Sequence, residues 1–287
     1  DCPNAAAAHR PGLTQVLGPK FESMATPSTS ETYVSVPGGE LYVRHWSVPS
    51  PSEPAIFLLH DSLGSVEQWR DFPSLLAEET NRSVYAYDRL GFGKSSPRTE
   101  LPSPDFVFEE AEKILPALMQ ALEIDRFVPF GHSVGGGMAL AAAATFGEKC
   151  QAVVSESAQA FVEPLTLTGI RAAQSQFASP EQFAKIKRWH GDKAQWVLDA
   201  WVQVWLSPAF ASWNLDSYLK RIMCPTLVIH GERDEYGSLA FPSRIAAGVT
   251  GPAEQAILSG GHVPHREQQA EVLQIVGRFL RQQFVLK

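Results

Sequence analysis

Cysteine is scarce in this chain, and so are runs of positive charge and long apolar stretches. The 287 residues include three cysteines, Cys2, Cys150 and Cys224, and a set so sparse and odd in number does not form a disulfide framework. Cys150 and Cys224 each begin a strand-like segment and could lie close together. We expect both to be buried free thiols, which suit a reducing compartment such as the cytoplasm.

The balance of charge excludes further classes of protein. Acidic residues outnumber lysine and arginine by 31 to 24, and the formal net charge is -7. We expect no nucleic-acid partner, because binding nucleic acid requires a basic surface that neutralises phosphates. No apolar stretch is long enough to cross a bilayer, so we expect no membrane association either.

What is present is the composition of an ordinary globular protein, with 44% apolar and 19% charged residues. A chain of this length can form one large α/β domain, or a core with an insertion. Residues 1–30 differ from the rest, because they lack both hydrophobic periodicity and the apolar segment of a signal peptide. We expect them to be a tail that is disordered or was added during cloning, with Met24 as a natural starting residue.

Strand and helix patterns alternate along most of the remaining chain. Two alternating apolar segments, 31–36 and 41–46, flank a Pro-Gly-Gly turn and predict a β-hairpin. Further strand segments then alternate with helices, which predicts a doubly wound, mostly parallel sheet. These strand segments are 55–59, 83–87, 126–130, 152–154, 225–229 and 255–258.

Residues 161–221 have helical patterning only, and this stretch is too long for an ordinary connection. It predicts a helical cap, or lid, inserted into an α/β core that is formed by residues 31–160 and 222–287. We expect most of the cap's five tryptophans to form its own core and one or two to face a cleft. They are Trp189, Trp196, Trp201, Trp205 and Trp213.

A Gly-x-Ser-x-Gly sequence with Ser133 at its centre lies between a predicted strand and a predicted helix. In this context the serine occupies a sharp, strained turn, and the small residues Gly131 and Gly135 avoid a clash. The hydroxyl then lies at a helix N-terminus, where negative charge is stabilised. Ser133 is therefore the candidate nucleophile, although such glycines also make turns without any function.

A serine nucleophile needs a base, and the base needs a carboxylate that orients it. Asp234 follows the strand at 225–229 and is the preferred acid, with Glu232 and Glu235 as alternatives. His262 follows the next strand after two glycines and is the preferred base. His265 is the alternative base, and we expect it at the start of the last helix.

Backbone amides must also stabilise the oxyanion of such a reaction. We expect one amide from Val134, directly after the nucleophile, and the other from Ser62 in the loop after the third strand. Leu63 is the alternative to Ser62. The candidate residues of the substrate pocket lie beside these positions or in the cap: Asp61, Leu63, His132, Trp201, Trp205 and Val263.

Five motifs together resemble the α/β-hydrolase superfamily, in its lid-bearing branch of esterases and C–C hydrolases. They are residues 60–64, 88–95, 131–135, 230–234 and 260–262. The resemblance covers residues 33–284 and implies an eight-stranded α/β-hydrolase fold with the cap after the sixth strand, a serine hydrolase activity and no cofactor. The histidines and acids lack the spacing of metal ligands.

Asp61 departs from the family pattern, which usually has glycine at this position. If the backbone requires a positive φ here, aspartate is among the few tolerated substitutes. Its carboxylate would either alter substrate preference or turn away and cap the following turn.

The expected activity is hydrolysis of small to medium apolar or aromatic carboxylic esters, by a monomer or a homodimer whose partner is a small-molecule ester. Alternatives are hydrolysis of lactones, hydrolysis of amides and C–C hydrolysis of a vinylogous 1,5-diketone. The C–C reaction needs a basic group for a dienoate carboxylate, for which Arg89 and Arg171 are only candidates. A further alternative is a receptor that retains the catalytic residues but turns over slowly.

Overall fold

The computed structural model describes residues 26–284, and within them eight strands form one sheet in the order β1-β2-β4-β3-β5-β6-β7-β8. The hairpin β1-β2 and the pair β2-β4 are antiparallel, whereas the remaining pairs are parallel. This arrangement confirms the predicted fold class. The strands are β1 (Ser28–Val36), β2 (Gly39–Ser47), β3 (Ser52–Leu59), β4 (Arg82–Tyr87), β5 (Phe127–His132), β6 (Val153–Glu156), β7 (Thr226–Gly231) and β8 (Ala253–Leu258).

Helices cover both faces of the sheet. Those of the core are α1 (Phe72–Thr80), α2 (Phe106–Glu109), α3 (Leu115–Ala121), α4 (Val134–Phe146), α9 (Ala240–Gly248), α10 (Pro264–Glu267) and α11 (Gln269–Gln283). Those between β6 and β7 are α5 (Pro164–Phe177), α6 (Pro180–His190), α7 (Ala194–Trp205) and α8 (Asp216–Leu219). None of the helices in residues 26–284 combines the length and apolar character that crossing a membrane requires.

Alternation along the buried strands divides the apolar interior into two cores. In β3, Phe57 and Leu59 face a core that includes α4 and the helices between β6 and β7. Ile56 and Leu58 face the opposite core, which includes α1 and α11. Because successive side chains of a strand point to opposite faces, a sheet covered on both sides needs this continuous apolar sequence.

Several predicted boundaries need correction. The sequence pattern predicts one helix over residues 66–79, but the structure has a 3-10 turn, Val66–Trp69, followed by α1, because Arg70 adopts a left-handed φ of 56° between them. The pattern also predicts one regular helix over residues 107–122, but the structure has a π-helical turn, Glu110–Ile114, just before Pro116, whose missing N–H prevents regular helical bonding.

The two chain ends differ from their predictions in different ways. The first strand begins at Ser28, inside the tail predicted for residues 1–30, and residues 1–25 lie outside the described part. Cys2 and Met24 are among them. Near the other end, His265 belongs to the separate short helix α10, because Gln268 leaves the helical conformation before α11 begins.

The insertion between β6 and β7 begins and ends at the same place on the core. Phe161 pairs with Asn214 in an antiparallel bridge, and the Leu215 N–H donates to the Ala160 carbonyl over 2.9 Å. The interior of the insertion is aromatic, with Phe210 in contact with the rings of Trp205 and Trp213.

Cys150 and Cys224 lie at the amino ends of β6 and β7. Both are free thiols, and their Sγ atoms are 3.8 Å apart. Cys150 is buried and Cys224 is partly exposed, so only Cys150 has the burial that we expected. The pair lies at the opposite end of the strands from the candidate active site, which is formed after the carboxyl ends of β5, β7 and β8.

Candidate active site

Ser133 occupies a strained turn between β5 and α4. Its φ of 56° and ψ of -124° fall outside the regions that L-residues ordinarily adopt. The turn depends on the neighbouring glycines, because a Cβ at Gly131 would overlap the carbonyl of Gly135, and a Cβ at Gly135 would overlap that of Leu59. The Ser133 N–H donates to the Glu156 carbonyl over 2.8 Å, which fixes the turn against β6.

Three side chains from separate loops meet at this turn. His262 Nε2 lies 2.9 Å from the Ser133 hydroxyl oxygen, and His262 Nδ1 lies 2.8 Å from both carboxylate oxygens of Asp234. An ionised carboxylate only accepts hydrogen bonds, so Nδ1 carries the proton and the serine hydroxyl donates to Nε2. Asp234 also accepts the Tyr236 N–H over 2.8 Å, which holds it in place.

The alternatives to these residues lie elsewhere. Glu232 and Glu235 are exposed; Glu235 lines the adjoining cavity, but the carboxylate that bonds to His262 is that of Asp234. His265 forms a hydrogen bond with Glu156 rather than with Asp234. The structure thus brings together Ser133, His262 and Asp234, the three preferred residues.

The charges of His262 and Asp234 shift each other's pKa values. Burial opposes the charged form of His262, but the hydrogen bond and charge of Asp234 outweigh burial and raise the His262 pKa above its ordinary 6.5. The carboxylates of Asp61 and Glu235 act in the same direction. Burial would raise the pKa of Asp234, but His262 outweighs it and the pKa is lowered from 3.8. Asp234 is therefore ionised at neutral pH.

Two backbone amides lie free beside Ser133. Within residues 26–284 neither the Ser62 N–H nor the Val134 N–H donates a hydrogen bond to another residue. Val134 is the first residue of α4, where an N–H has no partner within the helix. Both amides are available to a negatively charged oxygen.

The loop that carries Ser62 is fixed by buried side chains. The Arg89 N–H donates to His60 Nε2 over 3.0 Å, so the proton of His60 is on Nδ1, which donates to the Asp61 carbonyl over 2.8 Å. The Arg89 guanidinium donates to the same carbonyl over 2.8 Å. From the insertion, His190 Nε2 donates to the Leu63 carbonyl over 2.9 Å.

Neither arginine considered for carboxylate binding reaches the cavity. Arg89 is buried beneath the Ser62 loop, and Arg171 is exposed on α5. The left-handed backbone considered for Asp61 is not adopted, because its φ lies outside the positive range. Its carboxylate instead lies 3.8 Å from His132 Nδ1.

A cavity of about 170 Å³ opens beside the Ser133 hydroxyl. Two walls come from the insertion, and Thr166 of α5 donates to the Tyr236 carbonyl over 2.7 Å. The carboxylates that line the cavity are those of Asp61 and Glu235, and no lysine or arginine is among its described lining residues. The lining residues are Asp61, Ser62, Leu63, Ser133, Gln159, Thr166, Ile170, Trp201, Trp205, Glu235, Tyr236, His262 and Val263.

His132 is the predicted pocket residue that does not line the cavity. It is buried behind His262 and bonds to the His262 carbonyl. Sequence reasoning missed five residues as pocket residues: Gln159, Thr166, Ile170, Glu235 and Tyr236. The i, i+4 spacing of Thr166 and Ile170 was the one signal that they share a helix face. In the described residues, no group of three or more histidine, cysteine or acidic side chains could hold a metal ion.

Known proteins are similar to this chain in sequence and in fold. Residues 54–268 match the family described as alpha/beta hydrolase fold. The serine hydrolase BPHL of Mus musculus is 27% identical over 294 residues, covering 94% of each chain. The 2-hydroxymuconate semialdehyde hydrolase of Pseudomonas sp. (strain CF600) is 25% identical, covering 78% of this chain and 86% of that enzyme. The crystal structure of the enol-lactonase from Burkholderia xenovorans LB400 aligns with a TM-score of 0.67 and 22% identity, covering 87% of this chain and 99% of the lactonase.

Proposed function

The chain belongs to the α/β-hydrolase family, and on this premise we propose that it is a serine hydrolase that cleaves carboxylic esters through an acyl-enzyme. The observation that carries the proposal is the hydrogen-bonded series Asp234, His262 and Ser133, with its 2.8 and 2.9 Å contacts. This arrangement provides a nucleophile, a base and a group that orients the base.

Each residue has a defined role in the proposed reaction. His262 Nε2 takes the Ser133 proton as the serine oxygen attacks the ester carbonyl, and the Val134 and Ser62 amides stabilise the oxyanion. Asp234 holds the His262 tautomer and stabilises the imidazolium. His262 then protonates the leaving alcohol, and water attacks the acyl-enzyme with His262 again as base. Loss of one oxyanion donor typically costs ~10²–10³ in rate, so the amides contribute substantially to the proposed reaction.

The cavity supports a substrate with a short, uncharged acyl group. Its volume of about 170 Å³ is below the roughly 300–1,000 Å³ of pockets that bind drug-sized ligands. Trp201 and Trp205 favour apolar or aromatic groups. Asp61 and Glu235, without an opposing cation in the lining, disfavour a dienoate carboxylate. This charge favours ester over C–C hydrolysis, whereas a lactone, as a cyclic ester, fits the same chemistry.

A series of p-nitrophenyl esters from acetate to laurate tests the proposal. We expect turnover by the wild type, with an optimum at the short chains because the cavity is small, and loss of turnover in Ser133→Ala. A fluorophosphonate that labels the wild type but not Ser133→Ala would identify the nucleophile independently of the acyl group. Undiminished ester turnover by Ser133→Ala, or faster cleavage of a dienoate than of every ester by the wild type, would overturn the proposal.

A further inference from the structure

A second histidine–carboxylate pair lies behind the candidate catalytic residues. Glu156, the last residue of β6, accepts the His265 N–H on Oε1 over 2.6 Å and lies 2.8 Å from His265 Nδ1 through Oε2. Both residues are buried. Burial would raise the pKa of Glu156, but the charge and hydrogen bonds of His265 outweigh burial and lower it, so Glu156 is ionised. The proposed reaction gives this pair no chemical step.

Glu156 is bonded to both segments that carry reacting groups. Its carbonyl accepts the Ser133 N–H over 2.8 Å, and in the sheet it lies opposite His132, the residue before the nucleophile. Its carboxylate holds His265, three residues after His262. One buried residue therefore fixes the nucleophile turn through its main chain and the histidine segment through its side chain.

His132 completes this connection. A carbonyl only accepts hydrogen bonds, so His132 Nε2 carries a proton and donates it to the His262 carbonyl over 2.8 Å. Burial, with the nearby His265, lowers the His132 pKa to about 4, so this donor is neutral at pH 7. The His132 ring packs edge-on against His265, with their centroids 4.9 Å apart.

Another side chain, Glu267, supports the main chain of the histidine segment from the surface. Glu267 accepts the N–H groups of Gly261 and Val263 over 2.6 and 3.1 Å, but its side chain lies at the surface. Hydrogen bonds at the surface compete with water, whereas those in the interior act at low dielectric. Asp234 holds the ring of His262, and the cluster of Glu156, His265 and His132 is the buried support of its main chain.

We propose that Glu156, acting with His265 and His132, is a positioning residue that sets the place of His262 relative to Ser133. The inference rests on the proposed function. Misplacement of a catalytic group by about 1 Å can cost ~10²-fold in rate. Loss of the Glu156 charge should therefore lower kcat, and KM should change little because none of the three residues lines the cavity.

The rate of fluorophosphonate labelling tests this inference, because labelling requires Ser133 and His262 but no particular acyl group. Glu156→Gln keeps the size of the side chain and removes its charge. We expect labelling and ester kcat to fall about 10-fold with KM within about twofold of the wild type. Val276→Ala, on the buried face of α11, is the matched control: it should lower stability without slowing the labelling of folded protein.

His132 gives a second, independent pair of variants. His132→Leu removes the donor to the His262 carbonyl and should also slow labelling about 10-fold, whereas His132→Gln retains an N–H donor and should recover part of the rate. Folded Glu156→Gln and His132→Leu that react at the wild-type rate would overturn the inference. A wild type that fails to react would instead count against the proposed serine hydrolase.

The His262 Nδ1 proton resonance provides a readout that does not depend on catalysis. The signal is assigned by its loss in His262→Asn, and the inference requires it to move in Glu156→Gln. An unmoved resonance would overturn the inference even for a protein that hydrolyses no ester.

Discussion

Replacing Ser133 by glycine should make the fold more stable than replacing it by alanine. At φ 56° and ψ -124° the Ser133 backbone is strained, and such strain costs about 1–3 kcal/mol. Alanine keeps the strain, whereas glycine relieves it and loses roughly 0.5–1 kcal/mol through the greater freedom of the unfolded chain. Both variants lose the hydrogen bond to His262, so this loss cancels. The free energy of unfolding of Ser133→Gly should therefore exceed that of Ser133→Ala by about 1 kcal/mol, which corresponds to about 2 °C in Tm for a chain of this size.

Urea unfolding of Ser133→Gly and Ser133→Ala measures this difference directly. Ser155, buried in β6 without a positive φ, provides the control pair, because Ser155→Gly should there be the less stable variant. The glycine variant should therefore be more stable than the alanine variant at Ser133 and less stable at Ser155. If Ser133→Gly is also less stable than Ser133→Ala, the turn stores no strain and the reasoning is wrong.

Three other outcomes are expected. Since the proposed base must be neutral, kcat/KM should rise with pH through the His262 pKa, which lies above 6.5. Asp234→Asn should move this inflection to lower pH and reduce kcat by roughly 10⁴. A pH–rate profile that does not move in this variant would contradict the role of Asp234. Glutathione disulfide should convert Cys150 and Cys224, 74 residues apart, to a disulfide, with release of two glutathione thiols. The new disulfide should stabilise the folded protein by about 4 kcal/mol. A rise in Tm that dithiothreitol does not reverse, or that persists in Cys224→Ser, would count against this pairing. Glu235→Gln should lower KM for a succinate monoester about fivefold relative to a neutral ester, and equal KM ratios in both proteins would show that Glu235 does not repel anions.

The sequence predicted the parts of the site whose positions follow from the fold. Ser133, Asp234 and His262 each follow the end of a strand, and parallel strands bring these ends to one edge of the sheet. The shared edge explains why residues far apart in sequence were predicted together. The strands themselves were predictable because strands buried on both faces have continuous apolar sequences, which stand out from the helical segments between them.

The residues that were missed depend on tertiary contacts. Glu156 pairs with a histidine 109 positions away, and no local pattern predicts that contact. Thr166 and Ile170 line the cavity only because the insertion folds back over the sheet, whereas Gln159 lines it from the loop that follows β6. The break at Arg70 depends on a single residue with a positive φ between Val66–Trp69 and α1. Amphipathic periodicity indicates which face of a helix is buried, but not against which neighbour.

The joined ends of the insertion have an evolutionary consequence. Because Ala160 and Leu215 are hydrogen-bonded to each other, the segment between them leaves and rejoins the core at one point, and a replacement of different length adds little loop-closure cost. Ser133, Asp234 and His262 all lie outside this segment, whereas Thr166, Ile170, Trp201 and Trp205 of the cavity wall lie inside it. Exchange of one continuous piece of gene can therefore change which molecules enter the cavity, and leave the reacting groups in place.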